Sequence, residues 1–336
     1  MRRMDEFAAS FWLSAVVTGL AFGYVIQRGG FCLTRAISNL ALMGDAGILR
    51  AYVLAMLVAV VGVHVLTGLG LVEVPVRPFR WIANILGGLL FGIGMILAGG
   101  CSGSTWYRVG EGAIGAWVIL LGFAMGATTA NVGALAPLRG WLQSREFELR
   151  LGDAPPTLPS ALGVSPWLVI AVLGAAALVW LARGPREPEH GKWPWPLTGA
   201  AVGILIAAGW WTSTLGGRPV GITFAVNTGH ALTYPLVGYP NQVTWSMVLL
   251  VGVPIGAFLG AWPAGDFRWK LPPGWSLVKI FGGGLLMGAS ALIADGCNIT
   301  QGLTNSATLS VGSLTTFVSM CAGGWLTLWA LYLRKG

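Results

Sequence analysis

Charge is scarce in this sequence. Only 10% of its 336 residues are Asp, Glu, Lys or Arg, where a soluble domain carries roughly a quarter, so no soluble surface can be assembled from it. Histidine is nearly absent: His64 lies within an apolar run and His190 in a polar linker, leaving only His230, and no histidine-based metal or catalytic cluster can be argued. The four cysteines, Cys32, Cys101, Cys297 and Cys321, stand far apart and never at metal-site spacing, which argues against a structural zinc. The glycine string Gly282-Gly283-Gly284 lacks the Lys and Ser or Thr of a phosphate-binding loop and follows no strand, so no nucleotide cofactor or ATP-driven machinery is expected.

What the sequence has is apolar length. Hydrophobic residues make up 55%, with 17 Trp and 51 Gly, and mean hydropathy is +0.73. Trp favours the water–lipid interface, and Gly is commoner in membrane helices than in soluble ones. The net charge of +8 would point to nucleic acid in a soluble protein. Here the basic residues sit mainly at the ends of apolar runs, where they set topology; the partner they imply is the lipid bilayer, with no nucleic acid.

The pattern predicts an all-α polytopic membrane protein. Nine spans are expected, near residues 7–27, 48–69, 81–98, 113–133, 166–182, 195–212, 243–264, 277–294 and 312–333. The first run follows Met1-Arg2-Arg3 but lacks the usual small-residue cleavage motif, so it reads as a retained span rather than a signal peptide. The stretches Arg28 to Asp45 and Arg218 to Leu232 are too apolar for aqueous loops and read as short re-entrant segments. Irregular backbone at membrane depth survives only against protein or a polar cavity, which makes both candidate linings of a path. Ala134 to Ser165 reads as an aqueous loop and Gly184 to Lys192 as a linker between two halves.

An internal repeat supports those halves. A shift of 196 residues lays Gly87-Gly88-Leu89-Leu90-Phe91-Gly92 on Gly283-Gly284-Leu285-Leu286-Met287-Gly288, and Ala98, Gly100 and Cys101 on Ala294, Gly296 and Cys297. The expected division is one transmembrane domain, with repeat one at about 1–150, a linker span at about 160–194 and repeat two at about 195–336. Five spans separate corresponding elements, so the repeats are inverted, a plan that places substrate sites at broken helices near the membrane midplane. Gly88 and Gly92, matched by Gly284 and Gly288, read as close helix packing. Of the 20 Lys and Arg, 8 fall on the N-terminal face and 12 opposite, a bias that favours an outside N-terminus and a cytoplasmic C-terminus.

Two matched breaks could carry chemistry: Gly99-Gly100-Cys101-Ser102-Gly103 and Asp295-Gly296-Cys297-Asn298. Glycine lets backbone approach a ligand closely. The Ser, Thr and Asn residues are good helix caps, so a short helix is expected to restart after each Cys with its amides and positive dipole end facing the break, a setting for a small anion. A neutral thiol offers a soft S–H donor suited to a soft sulfur anion and holds it loosely enough to release it, as conduction requires. Cys32 follows Gly29-Gly30 in the first re-entrant segment, and Thr223 stands roughly at its place in the second. Cys321 lies in an ordinary apolar span and reads as a small hydrophobe. Arg35, Arg108, Asn227, Asn298, Gln301 and Asn305 are further polar candidates along the path.

Through Gly30-Phe31-Cys32, Gly99-Gly100-Cys101-Ser102-Gly103 and Gly296-Cys297-Asn298, the chain resembles the YeeE/YedE family of membrane proteins over essentially its whole length. The resemblance implies an hourglass-shaped helical fold and thiosulfate uptake across the cytoplasmic (inner) membrane, the ion passed along by S–H hydrogen bonds from Cys32, Cys101 and Cys297. Gly100, Gly296, Arg35, Asn298 and Thr223 complete the expected substrate-binding set. Relatives of the family are linked to selenium metabolism and to small sulfur-carrier proteins, which leaves other sulfur or selenium anions, and a cytoplasmic carrier partner, as alternatives. A membrane enzyme that forms a persulfide on one Cys is the rival reading, but a nucleophilic Cys normally needs a base or a depressed pKa, and no His lies near these three in sequence.

Overall fold

The computed structural model describes residues 2–152, 154–184, 191–237 and 243–334; His190 and Lys335 fall outside them. Helices dominate, in the order α1 Arg2–Arg28, α2 Leu33–Met43, α3 Gly47–Gly68, α4 Trp81–Ala98, α5 Ser102–Gly110, α6 Ile114–Asn131, α7 Ala136–Leu142, α8 Leu158–Leu162, α9 Pro166–Ala182, α10 Trp195–Leu215, α11 Ala225–Val237, α12 Trp245–Ala261, α13 Gly274–Ile293 and α14 Val311–Leu328. Among the described residues, seven helical segments are long and apolar enough to cross a bilayer, and α9 and α12 are shorter apolar helices of 17 residues. Seventeen residues make about 26 Å of helix, the lower limit of a span. Among the described residues, these segments fall on the apolar runs read from the sequence. The protein is an all-α polytopic membrane protein.

The series α1 to α6 recurs about 196 residues on as α10 to α14, with the helical turns at 298–305 in the place of α5. Packing follows the same exchange. Helix α1 packs on α12 as α10 does on α3, α6 on α13 as α14 does on α4, and α2 on α14 as α11 does on α6. The pairs α4–α13 and α1–α10 map onto themselves, as pairs beside a pseudo-two-fold axis must.

Small residues make this packing possible. A Cβ on Gly88 would stand 2.8 Å from Ser319 Cβ and from the Thr316 carbonyl, and one on Gly92 would stand 2.6 Å from Gly324 N. Gly284 and Gly288 likewise lie directly against the carbonyls of Ile119 and Phe123. Between helices in a membrane, such backbone approach replaces the hydrophobic drive that lipid removes.

The two faces can be traced through the chain. Trp193 N donates to Arg28 O (2.9 Å) and Gln27 bonds Asp266, so the end of α1, the start of α10 and the end of α12 share the C-terminal face. Trp245 packs against Gly216, which places the end of α10 and the start of α12 on the N-terminal face.

The expected aqueous loop at 134–165 is more ordered than its composition implies. It contributes α7, α8 and a two-residue strand, β2 Glu148–Leu149, paired antiparallel with β1 Phe79–Arg80. It also sends Gln143 Nε2 to the carbonyls of Leu292 (2.8 Å) and Ile293 (2.9 Å). Those are the last carbonyls of α13, which have no partner within the helix. The loop therefore caps a membrane helix where it breaks.

Candidate functional site

Three short helical segments begin on a cysteine. Cys32 is the N-cap of α2 and Cys101 the N-cap of α5, both with extended backbone, and Cys297 immediately precedes the helical turn at 298. Each cysteine carbonyl accepts the amide four residues on: Ala36 to Cys32 (2.9 Å), Thr105 to Cys101 (2.9 Å) and Gln301 to Cys297 (2.7 Å). The sequence pattern put Ser, Thr and Asn in the capping role. The cap positions are instead held by thiols, and neither Cys32 nor Cys101 completes a side-chain cap bond. The first-turn amides, which no helix can satisfy internally, thus face a weakly acceptor sulfur rather than an oxygen.

All three cysteines are free thiols, at 2%, 1% and 0% exposure in chain order. The Cys32 and Cys101 side chains lie close enough to interact with one another and with Ser104. Cys297 Sγ is 3.4 Å from Thr300 Oγ1. Joining the two groups is a bond between symmetry partners: Ser102 Oγ donates to Asn298 Oδ1 at 2.8 Å across a separation of 196 residues. A residue can touch its own repeat mate only at the axis, so the first turns of both broken helices meet there. Gly103 and Ile299, also 196 apart, face each other beside them, a Cβ on Gly103 standing 3.1 Å from Ile299 Cδ1.

Tyr52 completes the centre, and sequence reasoning missed it. Its hydroxyl accepts from Asn298 Nδ2 at 2.6 Å, and its ring stacks on Phe31 (4.3 Å between centroids) and Phe317 (5.8 Å). It lies within electrostatic reach of all three cysteines. Ser102 and Ser104 were also missed as site members. The 196-residue repeat held the signal for Ser102, because it aligns Ser102 with Asn298.

The breaks are paid for by polar side chains, as membrane depth requires. Gly99 caps α4 in the left-handed conformation (φ 72°) and Asp295 takes the same conformation (φ 58°) at the matched position, one that favours Gly and, among other residues, Asn and Asp. Arg108 Nη1 donates to Gly99 O (2.9 Å) and Gln301 Nε2 to Ala294 O (2.7 Å). Gly100 sits below Ser104 Oγ, 3.0 Å from where its Cβ would stand, and a Cβ on Gly296 would stand 2.9 Å from Thr300. Asn305 Nδ2 donates to Gln301 Oε1 (3.3 Å) in a π-helical turn, Thr300–Asn305.

A cavity of about 520 Å3 opens toward the N-terminal face, bordered by Arg77, Arg218, Thr223, Asn227, Gly296 and Thr300 among others. Thr223 is therefore placed in the cavity wall, where its hydroxyl donates to Ser246 Oγ (3.0 Å) and accepts from Asn227 (3.0 Å). Arg35 lies on the other side of the thiols, with Nη1 3.0 Å from the Cβ position of Gly30. A second cavity of about 340 Å3 on the C-terminal face is bordered by Ala98, Arg108, Glu111 and Lys270. Cys321 lies half-buried in α14.

Comparison with known proteins places this architecture among sulfur-handling membrane proteins. Residues 28–326 match the family described as sulphur transport. A thiosulfate transporter TsuA from Spirochaeta thermophila is 30% identical over 96% of this chain and 99% of its own length. The TsuA of Escherichia coli is 28% identical over 96% of this chain and 95% of its own. A probable transporter YedE from Salmonella typhimurium is 35% identical over a shorter stretch, 34% of this chain and 28% of its own length.

Proposed function

Because the chain belongs to the sulphur transport family, we propose that it carries thiosulfate across the cytoplasmic membrane, from an N-terminal periplasmic face to a C-terminal cytoplasmic one. The observation that carries this reading is the placement of Cys32, Cys101 and Cys297 at the starts of three short helices. Two relatives named for thiosulfate transport, each matching 96% of the chain, support the choice of anion.

Thiosulfate is a dianion with one soft terminal sulfur and three oxygens. Arg77 and Arg218 at the cavity mouth raise its local concentration, as like-signed clefts do for opposite charges. Thr300 and Gly296 border that cavity, so Cys297 is the first thiol met. The ion then passes to Cys101 and Cys32, whose side chains lie close together, and leaves past Arg35. At each step the S–H group donates to the anion and the first-turn amides contribute the positive end of the helix dipole. These donors are individually weak, which lets the ion move on. No sulfur–sulfur bond forms in this scheme, and the expected cytoplasmic recipient is a small sulfur-carrier protein.

The test is growth on thiosulfate as sole sulfur source, in a cell lacking its own sulfate and thiosulfate uptake, with membrane expression verified. The intact chain restores growth and Cys101→Ala does not. Equal growth with Cys32→Ala, Cys101→Ala and Cys297→Ala removes the relay. An intact-mass shift of the protein after thiosulfate exposure favours sulfur transfer over transport.

A further inference from the structure

Toward the C-terminal face from Cys32 stands a charge cluster that the scheme above does not use. Lys192, from the connector between the halves, donates to Asp266 Oδ2 at 2.8 Å and lies 3.8 Å from Glu111 Oε1. Gln27, 0% exposed, donates through Nε2 to the same two oxygens, at 3.0 Å to Asp266 and 3.1 Å to Glu111. Arg28 Nη1 lies 3.9 Å from Asp266 Oδ2. Four chain segments are thereby tied together: the end of α1, the end of α5, the connector and the α12–α13 loop.

The cluster adjoins the segments that carry the thiols. Glu111 is the C-cap of α5, whose N-cap is Cys101. The Lys192 stem lies against Gly30, 3.7 Å from its Cβ position and two residues from Cys32, and Arg35 borders the same point at 3.0 Å. Gly30 holds a left-handed turn (φ 57°), and two cationic side chains stand against the backbone that delivers Cys32. Glu111 also borders the C-terminal cavity.

We infer that Lys192 is an exit site for the transported anion, and that Asp266 and Glu111 are internal stand-ins for that anion which hold the exit shut between passages. The inference rests on the cysteine path proposed above. Two carboxylates occupy Lys192 when no anion is there. A dianion arriving from Cys32 offers the same donors the same charge and takes their place, so the tie opens for an anion and stays closed to a cation or neutral solute. Competition of this kind also gives specificity, because like charge meets repulsion from Asp266 and Glu111 unless it engages Lys192 and Arg28.

The experiment compares two membrane-impermeant methanethiosulfonates of similar size, the anionic sulfonatoethyl and the cationic trimethylammonium-ethyl reagent. Each is applied to vesicles with the C-terminal face outward, and adducts on Cys32 and Cys101 are located by peptide mass spectrometry. In the unaltered protein the anionic reagent modifies Cys32 faster. Asp266→Asn raises the anionic rate by about fivefold, the factor expected when an ion pair of ordinary strength is released, and Lys192→Gln inverts the preference between reagents. Unchanged preference in both variants overturns the exit site. An unchanged tryptophan-fluorescence melting profile reports that the variants are folded. If thiosulfate protects neither Cys32 nor Cys101 in the unaltered protein, the cysteine path itself fails, a result separate from the charge preference.

Discussion

Tyr52→Phe removes a single oxygen from the centre of the molecule and leaves its packing in place, because the ring keeps its stacking on Phe31 and Phe317. What is lost is the acceptor for Asn298 Nδ2, at 2.6 Å in a residue with 0% exposure. A buried donor left without a partner costs about 1–3 kcal/mol. Asn298 also accepts the bond from Ser102 that joins the two broken helices, so part of that cost appears as loosening at the axis. If all of it falls on the transport step, uptake drops roughly 5- to 150-fold at 1.4 kcal/mol per factor of ten. The assay is initial uptake of radiolabelled thiosulfate into proteoliposomes at matched protein density, with tryptophan fluorescence melting as the measure of fold. Ser102→Ala and Tyr52→Phe both act through Asn298, so their combined effect differs from the sum of the single effects by about 0.5 kcal/mol or more. Wild-type uptake in Tyr52→Phe, or strict additivity with Ser102→Ala, refutes the idea that this bond sets the geometry of the site.

Four further outcomes follow from the same structure. Cys321→Ala leaves uptake unchanged in that assay, because Cys321 lies in α14 away from the helix breaks. Gly92→Val forces a side chain into the α14 backbone, 2.6 Å from Gly324 N at its Cβ alone, and the yield of folded protein in size-exclusion chromatography collapses, overpacking costing about 1–3 kcal/mol or more. Arg77→Gln with Arg218→Gln raises the KM for thiosulfate several-fold with little change in maximal rate, and added salt shrinks the difference, since screening removes steering by exposed charge. Burial raises the Asp266 carboxyl, but the Lys192 hydrogen bond and charge, with Gln27 and Arg28, overcome it and hold its pKa below the ordinary 3.8. A depressed carboxylate contributes stability that is present above its ordinary pKa and lost only as pH falls through the lowered one. The reagent preference at Cys32 is therefore flat from about pH 8 to pH 5, and a midpoint within that window contradicts the assignment.

Much of the fold was legible because a bilayer leaves few choices. Apolar length alone located the apolar helices among the described residues, with α9 and α12 shorter than the rest, and the Gly and Cys coincidences pointed to the recurrence of α1–α6 in α10–α14. The candidate site was legible in part. Cysteines in matched glycine breaks stood out against an apolar background, but Tyr52 sits in the long apolar run of α3 and looks there like any core aromatic. Its role depends on Phe31 and Phe317, which are remote in sequence. Gln143 was hidden for the opposite reason, since it belongs to a polar stretch whose composition matches an exposed loop while its side chain serves a helix end in the membrane. Lys192 was hidden likewise, in a segment read as a linker. Side chains that cross from irregular segments into the membrane domain leave no periodic trace, and only the three-dimensional arrangement reveals their partners.

The central claim is that thiosulfate crosses by way of three thiols at helix starts, and the most direct test is its initial uptake rate into proteoliposomes containing the purified protein alone. The account predicts accumulation with the intact chain and near-background rates with Cys32→Ala, Cys101→Ala and Cys297→Ala, each with an unchanged melting profile. Undiminished uptake in all three variants, or none with the intact chain, contradicts it.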